Sequence, residues 1–208
     1  MIDEFRLAIR KVVLQIARGL NHLTKGRLTP NTITMIGLAG HIVIAWLIAL
    51  RHPLWAGLLL IFFGLFDTLD GELARLQKRT SPMGMLLDAS TDRFKEVLLY
   101  TGCAYFFVAD GRPYAAVWAV AALGASLCVS YVKAKGETAI ADQLPADKVN
   151  QLFKDGLARF EIRMVILIIG LLLGQLTGAV ILVALLSSYT AVYRLIVISR
   201  ALNRRYES

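Results

Sequence analysis

Apolar runs of bilayer-spanning length recur along this chain, and nothing limits its fold more. In hydrocarbon the backbone must satisfy its own hydrogen bonds, so such runs become helices packed on helices. The chain has 208 residues, of which 57% are hydrophobic and only 18% charged, and its mean hydropathy is +0.60. It reads as an all-α integral membrane protein. At roughly 20 residues per span its length suits about six transmembrane helices and leaves little for a soluble domain.

The spans are placed by their breakers. Thr29-Pro30-Asn31 opens a first span over 31–50, which Arg51, His52 and Pro53 close. A second starts at Leu54, and Thr80-Ser81-Pro82 caps a third over about 82–108. The fourth, fifth and sixth are expected over about 114–135, 160–173 and 179–202, with a polar loop at 136–158. Ahead of them, Phe5, Ile9, Val12, Val13, Ile16 and Leu20 recur at helical spacing among Arg6, Arg10, Lys11 and Arg18. This describes an N-terminal amphipathic helix, either lying in the membrane interface or packing on the membrane domain. The division is 1–28 for this helix and 29–208 for the membrane domain.

A net charge of +8 raises the question of nucleic acid, but the basic residues are spread over the ends of apolar runs, where they set topology. The N-terminal segment, the 75–79 connection, the 133–163 loop and the C-terminal Arg204 and Arg205 carry nearly all of them; the other side holds Arg51 and Arg112. The expectation is a multi-pass cell-membrane protein with both termini cytoplasmic, Trp55, Tyr114 and Trp118 marking the opposite boundary, and no nucleic-acid partner. Cys103 and Cys128 fall within apolar runs as small hydrophobes, and no cleavable signal peptide is expected.

Into this setting the chain places Asp67, Asp70, Asp88 and Asp92. A carboxylate at mid-bilayer depth costs about 2.5 to 3.5 kcal/mol on insertion scales, so four require compensation. Asp67 and Asp70 are three apart and Asp88 and Asp92 four apart, so each pair lies on one face of its helix. A short connection makes the two helices antiparallel neighbours. The four carboxylates can then share a site for a hard cation such as Mg²⁺ or Mn²⁺, and two ions balance their charge better than one. Gly71 lets a partner approach the backbone, Ala74 keeps the same surface small, and Arg75 offers a planar fork to phosphate oxygens. Gly84 permits close helix packing.

The pattern Asp67-x-x-Asp70-Gly71-x-x-Ala74-Arg75, eight residues, then Gly84-x-x-x-Asp88-x-x-x-Asp92 resembles the signature of the CDP-alcohol phosphatidyltransferase family. The resemblance implies that the four aspartates bind two divalent ions, Mg²⁺ or Mn²⁺, with Asp92 also the general base. It implies that Gly71, Ala74 and Arg75 contact the CDP moiety, with Gly84, Asn31 and Thr34 in the same binding set. It implies a homodimer that moves a phosphatidyl group from CDP-diacylglycerol, or an archaeal CDP-lipid, to a polyol and releases CMP; the sorting of basic residues puts the aspartates near the cytoplasmic face.

For the acceptor, Ser130-Tyr131-Val132-Lys133-Ala134-Lys135-Gly136-Glu137 resembles the Ser-Tyr-x-Arg-Ala-Arg-Ala-Glu segment of phosphatidylinositol-phosphate synthases, with lysine for both arginines. Arg163 matches part of their later Glu-Arg-x-Glu-Arg element. Lys133, Lys135, Arg159, Arg163 and Arg194 thus become candidates for an acceptor-phosphate pocket, the bland reading being snorkelling and topology. Inositol phosphate leads glycerol 3-phosphate, the acceptor of a phosphatidylglycerophosphate synthase, and unphosphorylated alcohols follow. Two other classes use buried carboxylates, a cation- or proton-coupled transporter and a prenyltransferase. Neither needs the Gly-x-x-Ala-Arg segment with the spacing of the second aspartate pair.

Overall fold

Proline opens half of the described helices. In the computed structural model, which describes residues 2–140 and 158–203, α1 spans Ile2–Leu23, α2 Pro30–Ala49, α3 Pro53–Gly64, α4 Phe66–Leu76, α5 Pro82–Ala109 and α6 Pro113–Ile140. Two more follow, α7 over Phe160–Leu172 and α8 over Leu176–Asn203. Pro30, Pro53, Pro82 and Pro113 each stand at a first helical position, where the missing N–H costs nothing. Thr29 caps α2 by accepting from the Thr32 N–H at 3.2 Å, and Ser81 caps α5 by accepting from the Gly84 N–H at 3.0 Å. The sharp stops come from left-handed residues: Arg51 lies in the turn after α2 and Lys78 follows α4, where the Arg79 N–H closes back on the Ala74 carbonyl.

Four helices among the described residues are long and apolar enough to cross a membrane: Pro30–Ala49, Pro53–Leu76, Pro113–Ala139 and Leu176–Arg200. This supports a multi-pass membrane protein and corrects the expected six spans. The stretch read as the third, α5, carries Asp88, Asp92, Arg93, Lys95 and Glu96 within its first 15 residues. Its uncharged remainder, 97–109, reaches only about 20 Å at 1.5 Å per residue, against a hydrocarbon core of about 30 Å. The stretch read as the fifth, α7, has 13 residues and falls short likewise. The second span is a single rod, because α3 and α4 meet at Leu65, whose backbone stays helical.

The chain falls into two compact units, Met1–Gly102 and Cys103–Ser208. In the first, Val13 and Ala17 of α1 are buried with Ile33 of α2 and Leu69 and Leu73 of α4, edged by Leu20, Leu28 and Phe66. One face of the N-terminal helix thus packs on α4, while Val12 and Ile16 stay exposed; the side chains of Phe5 and Ile9 lie outside the described residues. Small residues draw α2 inward. A Cβ on Gly40 would sit 2.5 Å from the Phe63 ring, and one on Gly102 would sit 2.6 Å from the Ala45 carbonyl oxygen. Helix α2 is thereby pressed against both carriers of the aspartates, the α3–α4 rod and α5. Gln77 secures the far end of α4, its Nε2 donating to Asn21 Oδ1 and to the Leu28 carbonyl, both at 2.9 Å.

In the second unit α6 and α8 pack together; Ala115, Ala119 and Ala122 of α6 and Val180, Val183 and Ala184 of α8 are buried, and the Ser126 and Ser187 hydroxyls lie 3.5 Å apart. Gly174, at φ +66°, makes the turn from α7 to α8. The helix after it starts at Leu176, three residues ahead of the expected 179. Of the expected 136–158 loop, 136–140 continue α6, and 141–157 lie outside the described residues, as do Arg204 and Arg205.

Candidate active site

The aspartate motif forms in the first unit, where α4 presents Asp67 and Asp70 and α5 presents Asp88 and Asp92. The four carboxylates are close enough to act on one another electrostatically, Asp70 with Asp67 and Asp88, and Asp92 with Asp67 and Asp88. Asp70 is buried and held from α2, because the Thr34 hydroxyl donates to its Oδ2 at 2.5 Å. The same hydroxyl lies 3.2 Å from the Pro30 carbonyl in the first turn of α2. A carboxylate in low dielectric is stabilised by such donors, and its orientation is set by them.

Asp67 and Asp92 are bridged by a residue that the motif does not include. Lys95 Nζ donates to Asp67 Oδ1 at 2.5 Å and to Asp92 Oδ1 at 3.2 Å, and the lysine side chain is 0% exposed. Arg93 reaches Asp92 at 3.8 Å and Glu96 at 3.1 Å. Removing one partner of such a buried pair costs about 3–5 kcal/mol, because the other charge is left uncompensated. The clue in the sequence was a lysine one helical turn after Asp92, just before an apolar run. Its second partner, Asp67, lies 28 residues away and gives no local sign.

Beside the carboxylates a pocket of about 270 Å³ is lined by Pro30, Asn31, Thr34, Asp70, Gly71, Ala74, Arg75, Gly84 and Asp88. The structure therefore collects every residue of the expected CDP-binding set around one cavity. Arg79, Thr80, Ser81 and Met85 line it too; in the sequence the first three read only as a basic connection and a helix cap. A basic residue followed by two hydroxyls between the halves of the motif was the available signal. A Cβ on Gly71 would meet only the Arg75 guanidinium, at 3.7 and 3.9 Å, so the glycine leaves room facing that arginine. A Cβ on Gly84 would lie 3.3 Å from Ser81 Oγ and 3.7 Å from Asn31 Oδ1, so this glycine admits Asn31 to the start of α5. Arg75 is aimed by Glu72, which accepts from Nη2 at 2.8 Å while half of the arginine side chain remains exposed.

The donor set fits a divalent cation by its chemistry: four carboxylates, hard oxygen ligands only, with more negative charge than Lys95 and Arg93 balance. Among the described residues no group of three or more His, Cys, Asp or Glu side chains is already gathered as a coordination shell. The Lys95 ammonium stands where Asp67 and Asp92 meet.

The five basic candidates all belong to the second unit, and they separate by burial. Arg163 and Arg194 are buried. Arg163 Nη1 donates to the Ala158 carbonyl at 2.5 Å, and Arg194 Nη1 to the Val129 carbonyl at 3.3 Å. Arg159 and Glu137 lie within electrostatic range of Arg194, as does Arg163. Lys133 and Lys135 are exposed, Lys133 standing 3.7 Å from Glu137 one turn on. The arginines lie together, and Glu137 links them to Lys133 at the exposed edge.

Known proteins match both the sequence and the fold. A phosphatidylinositol phosphate synthase of Cutibacterium acnes is 35% identical over 142 residues, 66% of this chain and 66% of its own length, so the aligned stretch spans just under two thirds of that relative. The crystal structure of Mycobacterium tuberculosis phosphatidylinositol phosphate synthase with CDP-DAG bound superposes with a TM-score of 0.76 at 26% identity, covering 90% of this chain and 94% of that one. The same enzyme in complex with manganese and citrate gives 0.75 at 27%, covering 89% and 88%. The model of the CDP-alcohol phosphatidyltransferase family matches residues 27–197, a stretch holding α2 through most of α8 and every candidate site residue, and the chain belongs to that family.

Proposed function

We propose that this chain transfers the phosphatidyl group of CDP-diacylglycerol to an inositol phosphate, releasing CMP. The observation that carries the reading is the pocket of the first unit, where the motif's glycines and Arg75 share one cavity with Asp70 and Asp88. A diphosphate needs this combination, a small-residue wall for close approach and a guanidinium fork for its oxygens. The relatives' names supply the donor and acceptor classes.

In the proposed reaction Asp92 accepts the proton of the acceptor hydroxyl, whose oxygen attacks the lipid-bearing phosphorus as the bond to CMP breaks. Thr34 orients Asp70, and Glu72 aims Arg75. Asp67, Asp70, Asp88 and Asp92 are the residues we assign to two divalent cations, Mg²⁺ or Mn²⁺, whose chemistry is to screen the diphosphate and stabilise the charge gathering on CMP. Arg163 and Arg194, with Arg159, are assigned to the acceptor's phosphate, because buried guanidiniums near one another favour an anion; Lys133 and Lys135 are the outer members of the same set. The active site and both termini are assigned to the cytoplasmic side. At the motif end of the second span stand Arg75, Lys78 and Arg79, against Arg51 alone at the other end, and Arg200 lies in the last turn of α8. A homodimer is the assembly we assign from the family likeness.

The test uses purified protein with Mn²⁺ or Mg²⁺, CDP-diacylglycerol and a panel of inositol phosphate, glycerol 3-phosphate, inositol and serine, with CMP release as readout. CMP should appear with inositol phosphate at the highest kcat/KM. Release only with glycerol 3-phosphate would move the assignment to a phosphatidylglycerophosphate synthase, and no CMP with any acceptor from folded protein would overturn it.

A further inference from the structure

The buried ammonium between Asp67 and Asp92 has no place in the motif, and its position bears on how the site takes up metal. Resting on the divalent-cation reading above, we propose that Lys95 is an internal competitor for the metal site, a tethered cation that holds Asp67 and Asp92 until a divalent ion displaces it and that thereby sets the site's affinity.

Three observations carry this. Lys95 Nζ contacts one oxygen of each carboxylate, at 2.5 and 3.2 Å, and those oxygens belong to two of the four side chains assigned to the metal. The lysine is fully buried and is itself a four-carbon tether on α5, so its local concentration at the site is fixed by the fold and cannot be diluted. Its partners come from different helices, Asp67 on α4 and Asp92 on α5, so the ammonium also holds the two halves of the motif together across the gap that the metal would bridge. An ammonium makes hydrogen bonds to single oxygens and carries one positive charge, whereas a divalent ion draws on both and repels the ammonium strongly at such distances. Both cannot retain the same two oxygens. In the metal-free protein Lys95 compensates the buried carboxylates; as metal enters, its stem swings the charge off Asp67 and Asp92.

The test measures Mn²⁺ binding directly, by isothermal titration calorimetry and by electron paramagnetic resonance of free Mn²⁺, on substrate-free protein. Lys95→Met, of similar length and uncharged, should bind Mn²⁺ at least tenfold more tightly than wild type. Lys95→Arg, which keeps the charge, should bind no more tightly than wild type. Thermal unfolding separates competition from mere support of the fold: competition predicts a lower Tm for Lys95→Met without metal together with a larger rise on adding Mn²⁺. A structural role predicts a lower Tm with a smaller rise. Lys95→Gln serves for the same comparison if the methionine variant does not fold. Unchanged or weaker Mn²⁺ binding in the neutral variants, with wild type binding normally, overturns this inference alone. No Mn²⁺ binding by wild type or by any variant overturns the metal reading and this inference with it.

Discussion

The Thr34 hydroxyl donates to Asp70 Oδ2 at 2.5 Å across 36 positions of sequence, fastening the first turns of α2 to the motif helix α4. It ties a residue of the pocket wall to a carboxylate assigned to metal. Outer-sphere partners of this kind typically change metal affinity by about 10–100-fold when removed. Thr34→Val should therefore raise the half-saturating Mn²⁺ concentration for CMP release by about one to two orders of magnitude, while Thr34→Ser stays near wild type. A valine variant with an unchanged Mn²⁺ dependence would deny Thr34 its hold on Asp70.

Asp92 is assigned the proton of the acceptor hydroxyl. Asp92→Asn keeps shape but cannot accept that proton, so kcat should fall by about 10²–10⁴-fold, with binding of CDP-diacylglycerol largely spared in equilibrium measurements. Turnover surviving the substitution would move the base elsewhere.

Arg194, buried in α8, should act on the acceptor rather than the donor. Arg194→Gln removes a charged partner worth about 1.5–3 kcal/mol, so KM for inositol phosphate should rise roughly tenfold or more while KM for CDP-diacylglycerol holds. Steady-state kinetics with each substrate varied in turn tells the two apart, and an unchanged acceptor KM would argue against a phosphate site there.

Gly102 lies where α5 meets α2, with the Ala45 carbonyl oxygen 2.6 Å from the place a Cβ would occupy. The obstacle is backbone, so it cannot swing away as a side chain would. Gly102→Ala should cost about 1–3 kcal/mol, seen as a lower Tm in detergent. An unaltered Tm would show that α2 and α5 tolerate a wider separation.

Much of this was legible because it is local. Proline at helix starts, the Thr29 and Ser81 caps and the spacing within each aspartate pair depend on neighbours three or four residues apart, and helix geometry fixes those relations wherever the helix sits. The count of spans was less legible, because α5 is charged in its first half and α7, with 13 residues, is too short. Both helices have apolar composition enough to attract the reading, but the hydrocarbon thickness decides by unbroken length.

The sequence by itself determined that the chain is helical and membrane-bound and that it carries the family's motif, since hydropathy and residue spacing are properties of the chain alone. Only the tertiary structure decided what meets what: Thr34 on Asp70, Lys95 between Asp67 and Asp92, and Arg79 and Ser81 in the pocket wall. Those contacts join different helices or the loop between them, and their distances follow from how closely glycines such as Gly40 and Gly102 allow the helices to approach, which no periodicity along one helix encodes.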